Sequence, residues 1–479
     1  MMRILLFTYS EHGQANTILA LAEELARRQS VQQVNVCSYP DLRKRVEAIH
    51  ARSSSPVIFH PLEGPNFEGL MKLNGLTFDD LRHPPSSKSI EGFRTLDRMV
   101  HLHDDEAYRK VVEASMTLIK SLDPDIIILD MVSDFAVDAC RLLDRRYIVN
   151  TPLQSMDILR MLQPWGKALW YYPAVFSGNP FPVPWRLFFS NIVINIKMIA
   201  TFMSNPLMNA SPASRKKNGY KGGHPLREYF HPDINFISPS IVETDFPHFC
   251  PPNIRRFGTI TLDTVPLEQS DPELHAWLDR KRTVVIVLGT HINYSENTAT
   301  AFICGLLEYL PTDMQVLWKL KNKSEVGHIV EGFMDKAEVE DRNRFKIVDW
   351  IVGDPSAIMV HPNVACYVHH GGANSFHECC LAGVPQLILA MWLDLYDTAS
   401  KVEYRGLGIY GNKSCAPGVD AVEFGKALAR ITTSGPEADQ IKANTTRVAK
   451  LCKEAGGKKA AVDFILSTLD RGKTWVYPS

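Results

Sequence analysis

Val368-His369-His370-Gly371-Gly372-Ala373-Asn374-Ser375-Phe376-His377-Glu378 holds a strand end, a glycine turn and a helix start within eleven residues. Ala365-Cys366-Tyr367 extends the apolar run to the length of a buried strand, and Gly371-Gly372 lets the backbone turn sharply with no Cβ in the way. A helix opening near Asn374 presents unpaired N–H groups and a partial positive charge, which together favour a phosphate. His370 at the junction offers a donor or a positive charge to the same oxygens. Glu378, one turn after Asn374, looks into the same mouth as an acceptor for hydroxyls such as those of a ribose. Ser375-x-x-Glu378 also has the spacing of a capping box, which starts a helix with no ligand at all.

The wider spacing favours the ligand. Trp350-Ile351 and His361 stand upstream, and Gly383-Val384-Pro385 and Trp392-Leu393-Asp394 follow. The block resembles the donor-binding signature of the UDP-glycosyltransferases, with Trp350, His361, His370, Gly372, Asn374, Ser375, Glu378, Gly383, Pro385 and Asp394 on the signature positions. The resemblance implies that Trp350 stacks on uracil while the Ile351 backbone pairs its edge. It implies that His370, Asn374 and Ser375, beside Gly372, hold the diphosphate, Glu378 the ribose hydroxyls and Asp394 the sugar hydroxyls. Two departures stand out. The Trp350–His361 spacing is longer than in plant members, and Leu395 stands where many members carry a Gln, so a sugar hydrogen bond is lost.

A second half-site is expected at the start of the chain. Arg3-Ile4-Leu5-Leu6-Phe7-Thr8 reads as a buried strand, Tyr9 to Asn16 as a polar loop, and Ile18, Leu21, Ala22 and Leu25 recur at helical spacing. Ligands of open parallel sheets bind at that carboxyl edge. In the resembled family this loop carries the His that takes the acceptor's proton. Here His12 and Gln14 compete for the position; the Ser10-Glu11-His12-Gly13-Gln14-Ala15-Asn16 wording looks like the fungal branch, which favours His12, with Gln14 beside the acceptor. Asp125-Ile126-Ile127-Ile128-Leu129-Asp130 ends an apolar strand in a carboxylate, and Asp130 also falls on the family's position for the Asp that orients the base. Asp134 is the alternative, with Asp138 a turn further on. Val285-Ile286-Val287-Leu288-Gly289-Thr290-His291 resembles the family's strand end that touches the donor phosphate, with Thr290 as the contact and His291 a second contact or an exposed residue.

Composition agrees with a large soluble enzyme. The chain has 479 residues, 45% hydrophobic and 22% charged, so it is too long for one core. A net charge of -1 and the lack of a Lys/Arg tract give no reason to expect nucleic acid. Nine scattered Cys without CxxC spacing argue against a disulfide scaffold or structural zinc, and the short apolar start reads as a strand and not a signal peptide. A reducing, cytoplasmic setting is the expectation. Asp123-Pro124-Asp125 reads as a turn at a strand entrance, and His101-x-His103 cannot share a helix face. No metal site is expected.

Alternating strands and helices indicate an α/β protein with parallel sheets. The resemblance makes this two facing Rossmann-like domains, the GT-B arrangement, around an interdomain cleft. Residues 1–250 are expected to bind the acceptor and 251–457 the nucleotide sugar, divided at the Pro-rich Cys250-Pro251-Pro252. Residues 458–479 are expected to include a helix that packs back on the first domain. The stretch Pro164–Pro206 is rich in aromatics and proline, and Trp165 and Phe181 are read as acceptor-lining residues. Asn191, Asn195 and Lys197 argue against a membrane span there; peripheral membrane contact stays open.

The resemblance implies an inverting, metal-independent transfer from a UDP-sugar, UDP-glucose being the expected donor. The acceptor would be a small lipophilic or aromatic alcohol of secondary metabolism, with no cofactor beyond the co-substrate. Two rivals are a non-catalytic nucleotide-sugar-binding partner of another transferase and a UDP-sugar epimerase on the same scaffold.

Overall fold

A computed structural model describes residues 2–99, 105–204, 215–223, 225, 231–337 and 342–477. The pair His101 and His103 lies outside the described residues. Among the described residues the strands form two sheets in which every pairing is parallel. The first contains β1 (Met2–Phe7), β2 (Val31–Ser38), β3 (Val57–Pro61), β4 (Ile126–Asp130), β5 (Ile148–Asn150), β6 (Asn235–Ser238) and β7 (Ile254–Arg256), in the order β3-β2-β1-β4-β5-β6-β7. The second contains β8 (Arg282–Ile286), β9 (Met314–Lys319), β10 (Phe345–Val348), β11 (Val364–His369), β12 (Gln386–Ile388) and β13 (Gly408–Tyr410), in the order β10-β9-β8-β11-β12-β13.

The strand residues account for this. Ile126–Asp130 is buried at every position, as a strand covered by helices on both faces must be. The helix His12–Leu25 turns Ala15, Ile18, Leu19 and Ala22 onto the sheet, in one core with Ile4, Leu6 and Ile128. Each sheet changes winding direction once, between β1 and β4 and between β8 and β11. Crevices open at such switch points, at the carboxyl ends of the strands.

The boundary differs from the expected one. The Pro-rich break at Pro251-Pro252 leads into β7, the last strand of the first sheet, so the first domain runs past Arg256. Proline marks a turn but does not say which sheet the next strand joins. Near the end of the chain, the helix Gly457–Ser467 lays Ala461, Val462 and Ile465 against the first domain's core. Lys458 Nζ fastens it, 2.6 Å from Glu23 and 2.7 Å from Asp263.

The two domains also meet through a buried ionic cluster. Lys401, on the second-domain helix Asp394–Arg405, lies 2.5 Å from Asp157 and 3.5 Å from Asp245 of the first. Arg160 of the first domain faces Asp397 of the second at 3.3 Å. Burial disfavours the Lys401 ammonium, but Asp157 and Asp245 outweigh it and its pKa is raised. The helix that begins at Asp394 is thereby anchored across the interface.

Candidate active site

The two switch points face one cavity of about 1010 Å³, lined by residues of both domains. Its size suits two small ligands side by side. His12, Thr290, Trp350, Ile351, His370, Gly372, Asn374, Ser375, Glu378, Asp394 and Gln14 all line it, so most of the residues singled out from the sequence converge on one site. Asp130, Trp165 and Phe181 do not.

On the second-domain side, the turn after β11 is built around the His370 ring. A Cβ on Gly289 would stand 2.7 Å from that ring and one on Gly372 2.6 Å, while Gly289 and Gly371 have φ of +86° and +101°. Only glycine fills these positions without displacing the histidine. The helix Ala373–Ala382 then starts with Gly372 as its cap and with no side-chain cap hydrogen bond. Ser375 lies inside the helix, which rules out the capping-box reading of Ser375-x-x-Glu378. Its free N–H groups open on the cavity.

The charges differ from what the motif suggests. Burial, and then His291, lower the pKa of His370 to about 4, so it is a neutral ring and not a cation at pH 7. The positive charges come from residues the sequence reading missed. Lys319, at the end of β9, sits with Nζ 3.9 Å from the centre of the Trp350 ring, which is itself 61% exposed. Arg45, on the helix Arg43–His50, hydrogen-bonds the Asn16 side chain at 2.5 Å and turns into the same cavity. No motif marks either residue; β9 and the second strand's following helix bring them there. Burial, and then Asp354, raise the Glu378 carboxyl to about 7, and the Ser356 hydroxyl partly offsets this.

Asn374, expected on a phosphate, donates instead to the backbone carbonyl of His12 at 3.0 Å, tying the two half-sites together. His291 is half-buried and lines the cavity. It stacks on Phe78 of the other domain with ring centres 3.9 Å apart.

Asp394, which also lines the cavity, is the first residue of its helix, and burial, reinforced by Asp157 and Asp397, lifts its carboxyl to about 7. The preceding Leu393 has φ of +43°, a strained conformation for a branched side chain. It is held by His83 of the first domain, whose Nε2 accepts the Leu393 N–H at 3.0 Å while Nδ1 donates to the Pro84 carbonyl at 2.8 Å. Leu395 is buried and lines the cavity with an apolar surface.

The first-domain side requires three corrections. His12 is the first residue of its helix, and its pKa is lowered to about 4 by burial and by Arg45, His291 and Lys319. Among the described residues no carboxylate hydrogen-bonds its ring. Asp130 is wholly buried and accepts from Thr8 Oγ1 at 3.2 Å and from the Val132 N–H at 3.4 Å, so it stabilises the β1–β4 edge and does not orient His12. The strand end places its backbone at the switch point but turns its side chain into the sheet. Of Asp130, Asp134 and Asp138, it is Asp134 that lines the cavity, lifted to about 7 by burial and by Asp138, whereas Asp138 is engaged by Arg215 at 2.7 Å and by Tyr108 Oη at 2.8 Å.

Trp165 is 87% exposed, away from the cavity, and Phe181 is packed between Tyr172 and Phe246 with ring centres 5.3 Å and 4.5 Å away. The apolar wall comes instead from Tyr9, Phe67, Leu70, Phe78, Leu81, Leu96 and Met99. These residues are scattered through helices and turns between β1 and β4, so no local aromatic cluster announces them.

Two acidic or His-containing groups lie elsewhere. Asp123 pairs with Arg145 at 2.7 Å and Asp125 accepts the Arg3 N–H at 2.8 Å, as a turn at a strand entrance would. His275, Asp279 and His361 have ligating atoms within 4.8 Å of one another, before β8 and β11, at the sheet edge opposite the cavity. His361 Nδ1 accepts the Asn363 N–H at 3.2 Å, which leaves the proton on Nε2, facing Asp279 at 3.3 Å. A protonated nitrogen is not a metal ligand.

Residues 189–421 match the family model described as UDP-glucoronosyl and UDP-glucosyl transferase. The chain is similar to the glycosyltransferase sdnJ of Sordaria araneosa, with 33% identity over 96% of this chain and 97% of that one. Phytolacca americana UGT2, solved with UDP-2fluoro-glucose and pterostilbene, matches with a TM-score of 0.66 at 14% identity over 98% of this chain and 99% of that one. Glycosyltransferase VinC, solved in complex with DTDP, matches with a TM-score of 0.62 at 15% identity over 98% and 100%. At these identities the structural matches establish the two-domain GT-B fold.

Proposed function

The chain belongs to the UDP-glycosyltransferase family, enzymes that transfer a sugar from a UDP-sugar, and on that premise we propose that it moves glucose from UDP-glucose to a hydroxyl of a small lipophilic or aromatic acceptor, with inversion. The observation that carries this reading is the presence of two chemistries in one cavity. Its lining joins a helix N-terminus, Lys319 and Arg45 to the apolar side chains of Tyr9, Phe67, Phe78 and Met99, and includes His12. A charged leaving group suits the first set and an apolar alcohol the second.

In the proposed reaction neutral His12 takes the proton of the acceptor hydroxyl. The acceptor oxygen attacks the anomeric carbon from the face opposite the diphosphate, and the bond to UDP breaks with its electron pair going to the phosphate oxygen. The charge that grows there is met by the N–H groups opening the helix Ala373–Ala382, by the Thr290 turn and by Lys319 and Arg45. These groups can carry the charge without a metal. The imidazolium then gives its proton to solvent. Gln14 lines the same wall, but an amide cannot accept a proton at neutral pH, so it serves the acceptor and His12 serves as base.

Trp350 would stack on uracil, Glu378 bind the ribose hydroxyls and Asp394 the sugar. A carboxyl near pKa 7 both donates and accepts, which suits an array of hydroxyls. Leu395 contributes no hydrogen bond, so the choice of glucose rests on Asp394.

The test is UDP release measured with several UDP-sugars against phenols, terpenoids and sterols, with product configuration read by NMR. Release that depends on an acceptor alcohol and gives an inverted product supports the reading; release without acceptor, or UDP binding without turnover, overturns it. His12→Ala should lower kcat by about 10²–10⁴-fold. Because the His12 pKa is lowered to about 4, the base stays neutral as the pH falls through the ordinary imidazole range, so a change of kcat/KM near pH 7 should follow the Glu378 and Asp394 carboxyls and be absent from the corresponding Gln and Asn variants.

A further inference from the structure

The segment 158–227 contains no Asp or Glu and nine Lys or Arg, in a chain whose 52 basic and 53 acidic residues balance only when taken as a whole. Within it lies the helix Phe188–Ser204, which packs one face on the protein and leaves an apolar stripe in water. Ile194 and Met198 pack beside Ala174, and two asparagines fasten the same face. Asn191 is fully buried, donating to the carbonyls of Leu169 at 3.1 Å and Tyr172 at 2.9 Å and accepting the Ala174 N–H at 2.7 Å. Asn195 donates to the Leu169 carbonyl at 3.2 Å.

A second set of apolar residues faces outward. Phe189, Val193 and Ile196 recur at helical spacing and are 79%, 48% and 54% exposed. Trp185, one turn before Phe189, is 87% exposed. Trp165 is equally exposed, on a turn with φ of +62° that leads into the short helix Lys167–Trp170, the element whose Leu169 carbonyl the two asparagines hold. Arg186 and Lys197 are exposed among these side chains.

An apolar helix face in water is costly, and a contiguous patch of this kind marks a contact surface. Three observations bear on the partner. Tryptophan and phenylalanine are the side chains that settle at the boundary between acyl chains and headgroups. Arg186 and Lys197, the exposed basic residues on this face, match a negatively charged surface, whereas Arg160 and Arg215 of the segment are buried against Asp397 and Asp138. Among the described residues no helix is long and apolar enough to cross a membrane, so the contact would lie in the interface plane.

We propose that this face, formed by the turn at Trp165 and the outer side of the helix from Trp185 to Lys197, docks the enzyme on the surface of an anionic lipid bilayer. The contact lies outside the catalytic cavity and does not depend on the identity of the sugar or the acceptor.

The experiment is flotation of the full-length protein with vesicles of phosphatidylcholine alone and of phosphatidylcholine mixed with phosphatidylserine. The protein should float with the mixed vesicles, release as salt is raised, and show a blue-shifted indole emission when bound. The variant W165S/W185S/F189S should bind at least about tenfold more weakly. R186E/K197E should lose the preference for phosphatidylserine; both variants change exposed side chains, and thermal melting checks that they fold. Failure to float with either vesicle, or undiminished binding by both variants, overturns the proposal. Self-association that the aromatic variant abolishes, with no vesicle binding by the unaltered protein, assigns the face to a second copy of the chain instead.

Discussion

His12, His291 and His370 frame the cleft as neutral rings, each with a pKa pushed below the ordinary imidazole value chiefly by burial. A neutral imidazole can accept a proton or donate one hydrogen bond, but it brings no charge to a phosphate. Positive charge comes to the cavity from Lys319 and Arg45, which line it. Behind them His369 is fully buried, with Nε2 3.1 Å from Gln386 Oε1 and Nδ1 accepting the Gly371 N–H at 3.2 Å. Its pKa falls from 6.5 to about 3, through burial first and His370 second. Below 6.5 the unfolded chain takes up a proton that the folded chain refuses, so stability is lost as the pH falls from there toward about 3. The loss approaches about 1.4 kcal/mol per pH unit for this one group. Urea unfolding at a series of pH values should show that His369→Gln, which can still accept the Gly371 N–H, has a shallower acid slope than the unaltered protein; equal slopes would refute the assignment.

At the scale of elements, the second-domain lining of the cavity was largely legible, because one strand, one glycine turn and one helix hold most of its residues close together in sequence. The signature positions from Trp350 to Asp394 line the cavity except where, as with His361, Gly383 and Pro385, they support the strands and turns between. What spacing could not reveal was the contact between elements. Leu393 is held in its left-handed conformation by His83, a residue 310 positions earlier, and Tyr396 Oη adds a bond to the His83 carbonyl. Removing that acceptor leaves a buried N–H unpaired, at a cost of about 1–3 kcal/mol. His83→Ala should therefore raise KM for the UDP-sugar through misplacement of Asp394, while the inhibition constant of UDP, which lacks the sugar, changes little. Equal rises in both constants would show that the whole nucleotide site had moved and not its sugar end.

At the scale of the molecule, the cavity exists only while the two sheets keep their carboxyl edges face to face. The cluster of Lys401, Asp157, Asp245, Arg160 and Asp397 spans that interface. Lys401→Met would leave Asp157 and Asp245 buried without their cation, and breaking such a pair costs about 3–5 kcal/mol. Urea unfolding should report a loss of that size together with a larger radius by small-angle scattering, and a variant within about 0.5 kcal/mol of the original would show the cluster to be dispensable. The sequence by itself determined the strand–turn–helix units, the two-domain α/β class and most of the second-domain lining of the cavity, since these depend on local periodicity, glycine turns and a short-range motif. Tertiary structure alone decided that β7 joins the first sheet, that Asp130 turns inward while Asp134 faces the cavity, and that distant Tyr9, Phe67 and Met99, and not Trp165 and Phe181, form the apolar wall. A side chain's destination there depends on which face of its strand or helix is covered by elements far along the chain, and no local pattern carries that information.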